Sequence, residues 1–231
     1  MPPITFAHRG ARIEEPENTL RAFRLALSLG ASGLETDAWL SADGEAVLVH
    51  DNPVRRGFRR RHVGQHPADE LASWEIPRLG DLYRELGTDF ELSVDAEEPG
   101  VVGPIIDAAR AAGAADRLWL CSGDLGLLTR LRPDAPDVHL VHSRRRRSLG
   151  PSLERHASDL AEAGIEVMNM HHTEWTKGIV SLFHRFDLRA FAWDAQEVRY
   201  LRSMIGMGVD AVYSDHVERM VATVAEFSPD A

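Results

Sequence analysis

Eight short apolar, β-branched runs, each followed by a longer amphipathic stretch, recur along nearly the whole chain and leave few folds open to it. Residues 4–9, 33–39, 90–96, 117–121, 138–142, 166–170, 189–193 and 211–214 read as strands. Helical periodicity follows at 19–29, 79–86, 101–112, 125–131, 153–163, 178–186, 197–207 and 216–227. Such alternation is the pattern of parallel βα units, and eight of them predict a closed (β/α)8 barrel. The length of 231 residues suits that fold, which typically takes about 250. A doubly wound open sheet shares the periodicity and stays open as the alternative. With no internal repeat or linker in view, residues 1–231 are expected to form one domain.

One connection is irregular. Residues 45–50 alternate like a short extra strand after the Ala42-Asp43-Gly44 turn. Residues 51–79 then carry Arg55, Arg56, Arg59, Arg60, Arg61 and three prolines, and read as a loop insertion.

The formal net charge of −10 argues against broad attraction to nucleic acid or to an anionic membrane. An anionic small molecule would need a local arginine or a metal ion to offset that field. Lys177 is the only lysine among 26 basic residues, so arginine must supply most local cations. Cys121 is the sole cysteine, which excludes an intrachain disulfide. Within Leu118-Trp119-Leu120-Cys121 it reads as a small apolar residue. Met1-Pro2-Pro3-Ile4 has no basic leader region, and no apolar run approaches the roughly 20 residues of a membrane span. The expectation is a cytoplasmic protein without stable membrane insertion.

In a (β/α)8 barrel the chemistry sits at the C-terminal ends of the strands. Polar residues collect in those places here. The first strand ends in His8-Arg9-Gly10, with Glu17-Asn18-Thr19 before the next helix. The second holds Glu35-Thr36-Asp37, whose alternation puts both carboxylates on one face. The extra strand ends in His50-Asp51, and the third barrel strand carries Ser93, Asp95 and Glu97 on one face. Carboxylates converging in a barrel mouth repel one another unless a cation joins them. Oxygen ligands without a Cys/His cluster suit Ca²⁺ or Mg²⁺ and disfavour zinc. Two histidines titrating near neutrality can act as base and acid, and an arginine fork fits two phosphate oxygens.

Ala7-His8-Arg9-Gly10, Glu14 to Asn18-Thr19, Glu35-Thr36-Asp37 and Val49-His50-Asp51 together resemble the opening signature of the glycerophosphodiester phosphodiesterase family. Ile76-Pro77-Arg78-Leu79, Gly208-Val209-Asp210 and Ser214-Asp215 are similar to its later segments. The resemblance implies a barrel in which Glu35, Asp37 and Asp95 hold a divalent metal. It implies that His8 and His50 are the acid/base pair and that Arg9 grips the phosphate. Hydrolysis of a glycerophosphodiester to glycerol 3-phosphate and an alcohol would follow. A histidine would free the substrate's vicinal hydroxyl to attack phosphorus, the other would protonate the leaving alcohol, and water would open the cyclic phosphate. Asn18 could hold the attacking hydroxyl or orient a histidine, or it could cap the helix beginning near Thr19. Trp193 could wall the glycerol or alcohol moiety, or pack in the barrel core.

The chain departs from the family where Glu-x-Lys is usual on the third strand and Asp95-Ala96-Glu97 stands instead. Glu97 could point away, bind a second cation, or weaken the site. An arginine from Arg144-Arg145-Arg146-Arg147 or from residues 59–61 could replace the missing lysine; otherwise these are solvated basic loops. His171-His172 and the pair His62 and His66 lack companions at metal spacing and read as surface or rim residues. Two other functions stay in play: a lysophospholipid-type phosphodiesterase, and a catalytically impaired phosphodiester-binding protein.

Overall fold

The computed structural model describes residues 2–227. β1 (Ile4–His8) leads through a polar loop to α1 (Leu20–Ser28) and then β2 (Gly33–Leu40). An insertion follows: β3 (Ala46–Leu48), β4 (Val54–Arg56), β5 (Arg59–Arg61) and α2 (Ala68–Ala72) precede α3 (Leu79–Leu86). Regular alternation resumes with β6 (Glu91–Ala96), α4 (Val102–Ala112), β7 (Leu118–Ser122), α5 (Leu125–Leu131) and β8 (His139–Ser143). It continues through α6 (Leu153–Glu162), β9 (Val167–His171), α7 (Lys177–His184) and β10 (Arg189–Trp193). The last elements are α8 (Val198–Met207), β11 (Ala211–Ser214) and α9 (Val217–Ala225).

The sheet closes because β1 pairs in parallel with β11 on one side and with β2 on the other. The open-sheet alternative is thereby removed. Eight parallel strands form the barrel, and β3 runs antiparallel to the last residues of β2. Phe6, Trp119, Cys121, Val141, Val167, Phe191, Ala211 and Tyr213 fill the interior. From β2 onward these inward positions are odd-numbered, so Glu35, Asp37 and Asp95 share the interior face. Gly33 lies opposite Phe6 in register, and a Cβ there would meet the Phe6 ring at 2.6 Å. The bare glycine therefore lets that ring plug the barrel below the carboxylates. Alternate residues such as Leu34, Leu92, Leu120, Leu140, Met168 and Val212 face the helices and join one buried layer with Phe23, Ile105, Leu160 and Phe183.

The segment at residues 51–79 is more ordered than a loop excursion. β4 and β5 make a hairpin closed by Gly57-Phe58, and α2 follows it. Val54, Val63, Ala68, Leu71 and Ile76 form a small apolar cluster with Val47 of β3, which anchors the insertion to the barrel. The arginine run hid the hairpin, because its strands are only three residues each and only Val54 points to the core.

Candidate active site

Local backbone aims the first residues of the site. Arg9 and Asn18 both take left-handed φ values, 57° and 56°, which a non-glycine residue holds only when its surroundings impose it. The Arg9 amide donates to the Glu35 carbonyl at 3.0 Å and to Glu35 Oε2 at 2.9 Å, and the Asn18 amide donates to the Arg9 carbonyl at 3.0 Å. Gly10 follows at φ 79°, where a Cβ would sit 2.8 Å from the Ala22 backbone. The sharp turn thus needs glycine to bring the loop against α1. Thr19, not Asn18, caps that helix by accepting from the Ala22 amide. Asn18 is instead buried, donating from Nδ2 to Asp37 Oδ2 at 3.1 Å and accepting from Thr36 Oγ1 at 2.8 Å. Its amide reaches a carboxylate and neither histidine, so its place is behind Asp37.

A cavity of about 330 Å³ opens at the C-terminal end of the barrel. His8, Arg9, Glu35, Asp37, His50, Asp95 and Trp193 all line it. One oxygen each from Glu35, Asp37 and Asp95 can be chosen so that all lie within 4.8 Å of one another, a group able to hold a metal ion. Burial raises the Glu35 carboxyl well above the carboxylate range, and the charges of Asp37 and Asp95 add to that. Burial, with Asp37 and Glu97, pushes Asp95 up to about 7. Two carboxyls so raised, beside a third acid, are a donor set that a hard divalent cation relieves, since it replaces mutual repulsion with attraction. Arg9 supplies part of the offset: its guanidinium lies 3.1 Å from Glu17 and its Nε 3.3 Å from Asp37 Oδ2.

Each cavity histidine has a carboxylate on Nδ1. His8 Nδ1 is 2.5 Å from Asp215 Oδ1, and His50 Nδ1 is 2.8 Å from Asp51 Oδ1. A carboxylate there orients the ring and keeps the proton on Nδ1, leaving Nε2 to exchange protons. His8 Nε2 is 3.8 Å from Glu35 Oε2, which ties the histidine to the acidic cluster. Burial opposes ionisation of Asp215, yet the His8 contact and Arg12 hold its carboxyl below the usual range. Neither Asp215 nor Asp51 was singled out from sequence as an orienting group. The signal was present in Ser214-Asp215 and His50-Asp51 at strand ends.

Glu97 also lines the cavity, so it does not point away. Half-buried, its carboxyl is raised by burial and by Asp37, with His50 partly opposing. No arginine of residues 59–61 or 144–147 is among the lining residues. Arg145 comes nearest in effect, stacked over the Trp193 ring at 4.4 Å. Ser143 and Asn169 complete the wall: Asn169 Nδ2 donates to Ser143 Oγ at 3.2 Å. Asn169 Oδ1 is buried without a hydrogen-bond partner among the described residues. Sequence reasoning missed Asn169, which carries no motif. Cys121 is buried, and burial raises its thiol, in keeping with a packing role.

His171 and His172 are not surface residues. Both are buried, and Asp194 reaches them from the next strand, with His171 Nε2 2.9 Å from Asp194 Oδ2. Ligand atoms of these three lie within 4.8 Å of one another, so a metal-capable group exists where spacing along the chain gave none. Asp194, at φ 65°, also lines the cavity. His66 pairs with Glu70 at 3.0 Å, outside the cavity.

The chain matches the model of the Glycerophosphoryl diester phosphodiesterase family over residues 8–219. A glycerophosphodiester phosphodiesterase of Caldanaerobacter subterraneus is 25% identical, with 97% of this chain and 98% of that one covered. A Bacillus altitudinis protein of the same name is 24% identical over 94% and 96%. Among solved structures, the Thermotoga maritima glycerophosphodiester phosphodiesterase superposes with a TM-score of 0.83 at 22% identity, covering 95% of this chain and 97% of that one. An Oleispira antarctica phosphodiesterase in complex with the product sn-glycerol-3-phosphate gives 0.83 at 20%, covering 97% of each. Matched from the histidine of its first strand to its last helix, this chain belongs to the glycerophosphoryl diester phosphodiesterase family.

Proposed function

We propose that the protein hydrolyses glycerophosphodiesters to glycerol 3-phosphate and an alcohol, with His8 and His50 as acid and base and with a divalent cation, Ca²⁺ or Mg²⁺, held by Glu35, Asp37 and Asp95. The observation that carries the reading is the pair of cavity histidines, each with a carboxylate on Nδ1, beside a cluster of three acids. A phosphodiester-binding protein has no need of two such oriented proton carriers. When bound, the cation supplies positive charge beside a phosphoryl oxygen and offsets charge that develops there.

This chain's residues divide the remaining work. One histidine accepts the proton of the glycerol hydroxyl vicinal to the phosphate, and that oxygen attacks phosphorus. The bond from phosphorus to the alcohol breaks as the other histidine donates its proton to the leaving oxygen. Water then opens the cyclic phosphate with the two roles reversed, so the net reaction consumes one water. Arg9 lies next to the acids, where its fork meets phosphate oxygens. Asn18 holds Asp37, Asn169 lines the wall beside Ser143, and Trp193 forms an apolar wall. The cytoplasmic setting expected from the sequence belongs to the same reading.

Release of glycerol phosphate from glycerophosphoethanolamine and glycerophosphocholine tests it, with Ca²⁺, Mg²⁺, Mn²⁺ or chelator present. Release that needs metal and disappears in His8→Ala is the expected result. No release from folded protein with any of the three metals would leave the binding-protein reading in its place.

A further inference from the structure

The hairpin of β4 and β5 has no part in the chemistry above, and its composition is unusual for this chain. Between Asp51 and Asp69 there is no acidic residue, whereas Arg55, Arg56, Arg59, Arg60, Arg61 and His62 all fall there. The protein as a whole carries a formal charge of −10. Arg55, Arg56, Arg59 and Arg60 are exposed, and among the described residues none of the five arginines is in a salt bridge. Arg56, paired with Arg59 beside the turn, lies 5.4 Å from the Trp74 ring. At the tip, Gly57 turns at φ 60° and presents Phe58, which is 104% exposed. A bare aromatic ring at the end of a five-arginine hairpin has no folding role, since Phe58 buries no surface in the fold.

The hairpin's place in the barrel adds direction. It begins three residues after Asp51, and His50 lines the cavity at the C-terminal end of the barrel, so the hairpin springs from that end. The loop after β1 on that face carries Ile13, 55% exposed. The loop after β8 carries exposed Arg144, Arg146 and Arg147. The arginines there are interleaved with acids, among them Glu14, Glu15 and Glu17 in the loop after β1 and Glu97 and Asp215 at strand ends, so the acid-free patch is the hairpin itself. At physiological salt, charges farther away than about 8 Å are largely screened, so a protruding hairpin answers to the surface it touches and not to the net charge.

We propose that the hairpin docks the protein on an anionic phospholipid bilayer, with the arginines on the headgroup phosphates and Phe58 at the interface. Arginine gathered around an exposed aromatic ring suits that boundary, where one partner is charged and the next layer is apolar. This is reversible surface binding; no helix among the described residues is long and apolar enough to cross a membrane. It stands apart from the proposed reaction, because binding is read without turnover.

Vesicle sedimentation of the full chain provides the test, using phosphatidylcholine alone and phosphatidylcholine with about one-third phosphatidylglycerol, at about 0.1 M salt. Binding is expected only to the anionic vesicles and should weaken as salt rises. The Arg59→Ser/Arg60→Ser/Arg61→Ser variant should bind at least tenfold more weakly, on the order of several-fold per arginine lost. Phe58→Ser should bind several-fold more weakly while keeping the salt dependence. These positions are on the surface, and circular dichroism with a thermal melt verifies that both variants fold. Equal binding to the two vesicle types, no binding to either, or unchanged binding by the triple variant would overturn the proposal. So would tighter binding of an RNA or heparin competitor than of the anionic vesicles at the same salt.

Discussion

Asp215 Oδ1 meets His8 Nδ1 at 2.5 Å, although the two residues are 207 positions apart in the chain. Closure of the barrel makes the contact: β1 and β11 are adjacent strands, with Ala7 paired to Ser214 in register. The last strand therefore delivers the group that orients the first histidine.

Removing that carboxylate while keeping its shape should disable the histidine without emptying the cavity. Asp215→Asn should lower kcat by roughly 10- to 100-fold with little change in KM, the scale on which groups that orient ligands and bases act. Steady-state kinetics on glycerophosphoethanolamine would show it. Unchanged kcat in the variant would mean that His8 keeps its orientation by other means.

The acidic cluster predicts a pH-dependent stability of the metal-free protein. An unfolded aspartate ionises near its ordinary value of 3.8, whereas Asp95 in the fold holds its proton up to about 7. The folded state then binds the extra proton between those values, so this group costs increasing stability as pH rises through that window. In chelator at neutral pH, Asp95→Asn should melt higher than the parent, by roughly 5 °C. The gap should close toward pH 4, and added Ca²⁺ or Mg²⁺ should stabilise the parent far more than the variant. Thermal melts with and without metal measure this; a variant that melts lower than the parent in chelator at neutral pH would contradict it.

His142 and His156 predict the opposite sign on the outer face of the barrel. They lie between β8 and α6, with Nδ1 and Nε2 3.1 Å apart. Burial first, and then the neighbouring His156, brings His142 down to about 4. Below pH 6.5 an unfolded histidine takes up a proton that the buried one refuses, so stability is full above 6.5 and is lost as pH falls toward 4. The loss amounts to about 3 kcal/mol at most. His142→Leu should show a shallower fall in Tm between neutral pH and about pH 4 than the parent. Parallel curves would assign the acid sensitivity to other groups.

The eight barrel strands and their order could be read from the chain because each is a short apolar run before an amphipathic helix. Glu35, Asp37 and Asp95 could be read as a group because alternation within a strand fixes a shared face, and register brings Asp37 beside Asp95. Side-chain contacts between neighbouring strands were beyond such reading. Asp215 on His8, and Asp194 on His171, arrive from neighbouring strands far along the chain. Asn18 shows the limit in miniature: its position just before a helix suggests a cap, but a left-handed backbone turns it under Asp37 and passes the cap to Thr19. The hairpin of β4 and β5 escaped because its side chains are almost all charged, and pairing there rests on the Gly57 turn and backbone hydrogen bonds.

The division of labour between His8 and His50 is tested most directly by changing the leaving group. The measurement is kcat/KM of the parent, His8→Ala and His50→Ala on glycerophosphoethanolamine and on the corresponding nitrophenyl ester, whose leaving group needs no proton. Both variants should be severely impaired on the ethanolamine ester, and one of them, the one lacking the acid, should recover most of its rate on the nitrophenyl ester. Equal impairment of both variants on both substrates would mean that neither histidine protonates the leaving alcohol.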